Sequence, residues 1–309
     1  MFERPIKWRK CGRILTPRPD LFWNQTHVSL PTVEWRRDSL VRVYFGGRDH
    51  LNRSRIGYAD FDLDNLTDGG RVSKRPALEL GELGTFDDNG VMPCSLVEDG
   101  NEKLLYYVGW NPRATTRFSF YSGLAISQDG GNYFVRYSRA PILERTDREP
   151  FVNASPMVIR DGLLWRMYYV SGEGWINPDL PRYNIKYAES DDGRSWRRDG
   201  HACIDFCAPG ENALARPCVI KDGNFYRMWF SYKGGNYDLQ HNYRIGYAES
   251  EDGKNFMRRD DLANIDVSSS GWDSEMVAYA FVFRCQGRFW MAYNGNSYGR
   301  NGFGLAVQE

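Results

Sequence analysis

The sequence has no apolar run approaching the roughly 20 residues that span a bilayer, and its first residues, MFERPIKWRK, lack the apolar stretch of a secretory signal. These absences argue against a membrane-spanning helix and against an exported precursor. Formal net charge is zero, and Lys and Arg are scattered along the chain, so no basic face for nucleic acid or for a membrane stands out. Cysteine is sparse, with six in 309 residues. Cys94 and Cys218 each follow an equivalent proline on strands expected to be buried, and read as small core residues. Cys203 and Cys207 form a C-x3-C pair with no His or second pair at zinc spacing, so no metal ligand set is assigned. A reducing, cytoplasmic setting fits this usage. A glycine-rich phosphate loop is also missing.

What the sequence does have is a repeat. Pro31 in SLPTV, Pro93 in VMPCSLV, Pro156 in ASPMVI and Pro217 in ARPCVI recur at spacings of 62, 63 and 61 residues, and Tyr279 of VAYAFVF holds that place 62 residues further on. Within each unit, β-branched and aromatic runs alternate with Gly, Asp and Asn turns, which predicts four short strands. The second strand shows as VRVYFGG, LLYYVGW, WRMYYVSG, YRMWFSY and FWMAYNG. In units two to four the third strand runs into Ser-x-Asp-Gly and then an aromatic: Ser127, Asp129, Gly130 and Phe134; Ser190, Asp192, Gly193 and Trp196; Ser250, Asp252, Gly253 and Phe256. Asp and Gly suit a tight turn, so these aspartates read as structural.

Four-stranded units at this period predict an all-β, five-bladed β-propeller of antiparallel blades, because one twisted sheet buries both faces only when neighbours stack around an axis. The expected blades are approximately 24–80, 87–145, 150–206, 211–267, and 273–309 plus 5–16, in one domain over 1–309. The chain ends at GFGLAVQE, a third strand without a fourth, and KWRKCGRIL near the start resembles the fourth-strand segments SWRRDGHACI and NFMRRDDL. The N-terminal strand is therefore expected to complete the last blade and close the ring.

Function is sought where loops gather at the channel mouth. Six residues before each blade proline stand Gln25, Asp87, Pro150, Glu211 and, counted from Tyr279, Asp273; four before stand His27, Asn89, Val152, Ala213 and Glu275. If strand alternation extends that far, Asp87, Glu211, Asp273 and Glu275 share one side and aim at one cavity. The alternative is that these acids cap turns or pair with Arg216, Arg182 and Arg48. Aromatic and amide residues crowd the same mouth: Trp110 and Asn111, Trp175 and Asn177, Tyr232 and Asn236, then Asn294, Asn296 and Tyr298, with Trp23, Asn24 and His27 ahead of the first unit. Aromatic faces and amides match the C–H faces and hydroxyls of sugars, so a carbohydrate is the expected ligand.

The repeat, the SDDGRSW and SEDGKNF segments and the blade-opening prolines resemble the five-bladed propeller superfamily of glycoside hydrolases, whose members include families 43, 32, 68 and 130. In families 32 and 43 the resemblance implies a base or nucleophile from blade one, an Asp from blade two and an acid Glu from blade three, with an Asp commonly beside the blade proline. Here Leu30, Met92, Ser155 and Arg216 precede the prolines, and blade one offers Asn24, Gln25 and His27. The chain looks like a subgroup without the usual triad positions.

The expectation is a glycan-active enzyme, most simply a glycoside hydrolase acting on a bacterial polysaccharide or oligosaccharide. Glu211 is the expected general acid, Asp87 the base with Asp88 as its substitute, and Asp273 or Glu275 orients the sugar or tunes the acid. Arg216 tempers repulsion within the cluster. Trp23, Asn24, His27, Arg48, Trp110, Trp175, Arg182, Arg216, Tyr232, Asn294 and Tyr298 are the expected substrate contacts. In the alternative, a non-catalytic carbohydrate-binding propeller, the acids serve hydroxyls or hold Ca²⁺ in the central channel. No other cofactor is expected.

Overall fold

A computed structural model describes residues 6–66, 69–234 and 242–309. The architecture is all-β, with twenty strands among the described residues. After β1 (Trp8–Leu15) come four antiparallel units: β2 (Val28–Arg37), β3 (Leu40–Arg48), β4 (Ser54–Asp62) and β5 (Arg71–Val72); β6 (Gly90–Asp99), β7 (Glu102–Pro112), β8 (Phe118–Ser127) and β9 (Val135–Arg136); β10 (Asn153–Asp161), β11 (Leu164–Asn177), β12 (Leu180–Ser190) and β13 (Ala202–Ile204); β14 (Ala213–Asp222), β15 (Phe225–Lys233), β16 (Arg244–Ser250) and β17 (Met257–Arg258). A fifth contains β18 (Ala278–Cys285), β19 (Arg288–Asn294) and β20 (Phe303–Gln308). Its fourth strand is β1, antiparallel to β20 from Trp8↔Gln308 to Leu15↔Phe303.

The Ser-x-Asp-Gly turns tie consecutive units together. Ser127, Ser190 and Ser250 each bond their own turn, and Asp129, Asp192 and Asp252 accept backbone N–H groups, which lowers all three carboxyls below the usual range despite partial desolvation. The turn carbonyls of Gly131, Gly193 and Gly253 then accept from Tyr44, Tyr106 and Tyr168, each one unit earlier, at 2.8, 2.7 and 2.8 Å. Trp229 takes the equivalent place in unit four. The fifth unit has no such turn, and Trp229 packs edge-on against Trp8 of β1 instead.

Four of the five first strands bulge at the residue before the proline position. Leu30, Ser155, Arg216 and Tyr279 adopt φ of 54°, 52°, 52° and 58°, a left-handed conformation that costs a non-glycine residue of order 1 kcal/mol. The register breaks there between Ser29 and Thr32, Ala154 and Met157, Ala215 and Cys218, and Ala278 and Phe281. Tyr279 thus corresponds to the residue before the proline, and Ala280, not Tyr279, takes the proline's place. An extra residue in one strand re-aims its side chain, and these positions form the floor of the cavity described next.

All six cysteines are free, with Cys94, Cys203, Cys218 and Cys285 buried. Among the described residues no helix is long and apolar enough to cross a membrane.

Candidate functional site

A cavity of 430 Å³, within the range of about 300–1,000 Å³ usual for small-ligand sites, is lined from all five units. Three repeated positions build it. The floor holds Leu30, Ser155, Arg216 and Tyr279 from the bulges, and Met92 from the corresponding place in β6. Val108 and Val170 come from the middle of second strands. Ser54, Phe120, Tyr183 and Tyr243, all at one repeat position, start the third strands. The Tyr183 and Tyr243 hydroxyls bond each other, and both are held above the usual tyrosine range, chiefly by burial. Trp110, Phe118 and Phe120 form one aromatic wall, with ring centroids 4.6–5.3 Å apart.

Arg216 is fully buried and spans the floor. It donates to Thr32 Oγ1 at 2.8 Å, to the Pro31 carbonyl at 3.2 Å and to the Cys94 carbonyl, so unit four is bonded to units one and two. Burial lowers its basicity. It has no carboxylate partner among the described residues.

Of the residues expected to contact substrate, His27, Arg48, Trp110, Arg216 and Tyr298 line the cavity. The expected acids do not. Asp87, 0% exposed, accepts from Arg136 Nε at 2.7 Å and from the Tyr107 hydroxyl at 2.8 Å. Glu211, 5% exposed, takes both Arg258 Nη atoms at 2.8 and 3.0 Å and the Cys207 N–H at 2.9 Å. Asp273, 2% exposed, accepts from Lys10 at 2.7 Å and from the Tyr293 hydroxyl at 3.0 Å. Glu149 repeats the pattern in unit three with Arg198 and Tyr169. Each acid is bound within its own unit to a base on or beside the fourth strand, so the convergence of Asp87, Glu211 and Asp273 at the axis is corrected. Their partners are Arg136, Arg258 and Lys10, not Arg216, Arg182 or Arg48. Asp88 caps its turn through Gly84 N–H and Asn111, and Glu275 is exposed; neither lines the cavity.

Other expected contacts are structural. Trp23 is buried beneath Gly47 and Gly57, where any Cβ would lie 2.7 and 2.0 Å from its ring, and it stacks on Phe45. Asn24 is buried away from the cavity. Asn294 joins units five and one: it accepts from Leu30 N–H and donates to the Val28 carbonyl, each at 2.8 Å. Trp175 backs Phe118 from behind, at 5.3 Å. Arg182 stacks on Phe206, and Tyr232 lies beside Arg258 and Phe230. Asn236 lies outside the described residues.

Sequence reasoning missed Arg117, Phe118, Phe120, Asp179, Tyr183, Lys233 and Tyr243 on the lining. The signal available was the aromatic shared by RFSFYSG, PRYNIKY and NYRIGY at the starts of third strands. Among the described residues Asp179, exposed on the turn between β11 and β12, is the one carboxylate on the lining, against the cations Arg48, Arg117, Arg216 and Lys233. Ca²⁺ takes about six to eight oxygens, and this donor set does not fit it. A more open depression of 320 Å³ lies elsewhere, beside Arg258 and between Ile204 and Phe256.

Burial first, then Arg48 and Arg300, push the His27 imidazole down to about 4. Its folded value lies below the unfolded one, so its contribution to stability is whole above pH 6.5 and is lost as pH falls toward 4. NMR titration should find His27 neutral at pH 5, and Arg48→Met should move its midpoint upward.

Two proteins of Mycobacterium tuberculosis, one from strain CDC 1551 and one from strain H37Rv, both described only as uncharacterized, are 42% identical to this chain over 308 residues, spanning 98% of it and all of each relative. The chain belongs to their family. No family model matches it. Among solved structures it is similar to a glycosyl hydrolase from Bacteroides ovatus (TM-score 0.70, 14% identity, 98% of this chain and 92% of that protein). It is also similar to a thermostable family-43 glycoside hydrolase (TM-score 0.66, 17% identity, 91% and 89%). The fold is that of the propeller glycoside hydrolases, as the repeat and its turns implied.

Proposed function

We propose that the five units are the blades of a closed β-propeller whose axial cavity binds a saccharide, and that this family recognises a glycan without a carboxylate pair of its own for hydrolysis. The observation that carries this reading is the cavity's composition. The Trp110, Phe118 and Phe120 faces suit sugar C–H surfaces, Asn52 and Asn89 offer amides to hydroxyls, and the floor residues Leu30, Met92, Ser155, Arg216 and Tyr279 hold no carboxyl group. Hydrolysis by the usual route needs two carboxyls about 5 to 9.5 Å apart, and Asp179 stands alone among the described lining residues.

A second reading, a glycan-active enzyme, is favoured by the glycoside hydrolases that share this fold. In it Asp179 is the described carboxyl placed to meet a ligand. One experiment separates the two: oligosaccharides from bacterial surface polysaccharides are titrated calorimetrically into the protein, and the recovered samples are analysed for cleavage by chromatography. The expected result is binding without cleavage, weakened by about 1–2 kcal/mol, or about five- to thirtyfold, in Trp110→Ala. Cleavage that is lost in Asp179→Asn would establish the enzyme instead.

A further inference from the structure

The buried acids of this molecule are paired with bases, whereas the cations of the cavity are not paired with acids among the described residues. Net charge is zero, and the buried acids Asp87, Glu149, Glu211 and Asp273 each have a basic partner at close range. On the cavity wall, Arg48 ends β3, Arg117 directly precedes β8, Lys233 ends β15 and Arg216 sits in the β14 bulge. These side chains form no ion pair with a carboxylate among the described residues, and Asp179 is the one acid facing the same space.

The cations feel one another. Arg48 and Lys233 are both less basic than usual, first through burial and then through the positive field of Arg117, which also reaches Tyr298. Groups from units one, two and four therefore converge without a carboxylate ion-pair partner among the described residues. Packing accounts for part of this: Lys233 lies 5.0 Å from the Tyr243 ring centroid, and Arg48 donates to Asn52 Oδ1 at 3.1 Å. Neither contact supplies a counter-charge. Arg216 is already committed to Pro31, Thr32 and Cys94, so it adds field rather than a free donor.

We propose that the cavity takes a saccharide bearing a fixed negative group, a uronate carboxylate or a sugar phosphate, with Arg48, Arg117 and Lys233 around the anion and the sugar ring against Trp110, Phe118 and Phe120. This rests on the saccharide reading above and narrows it to acidic glycans. The guanidinium fork matches carboxylate and phosphate oxygens alike, and burial strengthens a charge-assisted contact that water would screen at an open surface.

The test uses the full chain and calorimetric or NMR titration with the gluco, galacto and manno forms of hexuronic acid, hexose 6-phosphate and neutral hexose, plus inorganic phosphate. At least one acidic sugar should bind about tenfold or more tightly than its neutral parent at low ionic strength, with the advantage shrinking as salt is added. The uronate and phosphate arms identify the anion. Arg117→Gln should remove about tenfold in affinity for the acidic sugar and leave the neutral parent unchanged. Lys233→Gln gives the same readout where Arg117→Gln lowers the melting temperature. Neutral hexose binding as tightly as its acidic forms would overturn the charge preference while leaving the saccharide reading intact. Inorganic phosphate binding as tightly as hexose phosphate would remove the sugar from the proposal and leave only an anion site. Failure of every acidic sugar to bind would overturn it outright.

Discussion

Asp87→Ala is expected to destabilise the fold by about 3 kcal/mol, lowering the melting temperature by about 5–10 °C in a chain of this size, with ligand binding unchanged in the fraction that remains folded. The carboxylate is inaccessible and holds three side-chain partners, Arg136 at 2.7 Å, the Tyr107 hydroxyl at 2.8 Å and the Thr85 hydroxyl at 2.9 Å. Removing it leaves a part-buried guanidinium without its counter-charge and an inward-facing phenol without its acceptor. The cost of breaking such a pair exceeds its net contribution when intact, because the surviving group stays desolvated. A side chain that did chemistry would behave in the opposite way: its loss would spare stability and abolish function. Equilibrium denaturation beside ligand titration on Asp87→Ala and Asp87→Asn distinguishes the two. Asparagine keeps an acceptor for Tyr107 but not the charge for Arg136, and should fall between alanine and the parent.

Deleting residues 1–15 is expected to drive the protein into larger assemblies. Without β1, the β20 edge from Phe303 to Gln308 loses its partner, Asp273 loses Lys10, and Trp229 loses the ring of Trp8. An uncovered edge strand pairs with other chains, so species larger than the parent protein should appear in size-exclusion chromatography. Order along the chain is not what matters here. Glu309 N–H donates to the Lys7 carbonyl at 3.0 Å, and Trp8 lies opposite Gln308, so a short turn could join the two ends as a hairpin. A circular permutant that links Glu309 to Ile6 through a short turn and opens between residues 17 and 22 should therefore fold with the parent's elution volume and near-parental thermal stability. A truncated chain that stays folded without forming larger species, or a permutant that does not fold, would contradict the closing role of β1.

The repeat was legible because its markers are local. The prolines, the Ser-x-Asp-Gly turns and the aromatic second strands each depend on nearby backbone geometry, and the structure places them in matching positions in successive units. The unpaired third strand at one end and the fourth-strand-like segment at the other likewise anticipated the β1–β20 ladder.

The site was less legible, for two physical reasons. The bases that neutralise Asp87 and Glu211 lie on fourth strands of two residues, Val135–Arg136 and Met257–Arg258, too short to show a period. The acids therefore looked unpartnered in the sequence. Counting back from the proline also fails at the bulge, where one residue of slip moves a side chain to the other face. In unit three the six-residue count falls on Pro150 and passes over Glu149, which carries the buried pair with Tyr169 and Arg198. In unit five the count starts one residue out of place, from Tyr279 rather than Ala280. The residues directly before the prolines, distinguished in the sequence only by lacking an acid, are the ones that form the cavity floor. The aromatics and cations that complete the lining, Phe120, Tyr183, Tyr243, Arg117 and Lys233, lie at third-strand starts or second-strand ends and meet only through the arrangement of the units.

A crystal of the full chain soaked with an acidic oligosaccharide tests the account most directly. Difference density is expected in the axial cavity, with a sugar ring on Trp110 and its anionic group near Arg48, Arg117 and Lys233. Ligand density instead in the depression beside Arg258, or in place of the Asp87–Arg136 pair, with the axial cavity empty, would contradict it.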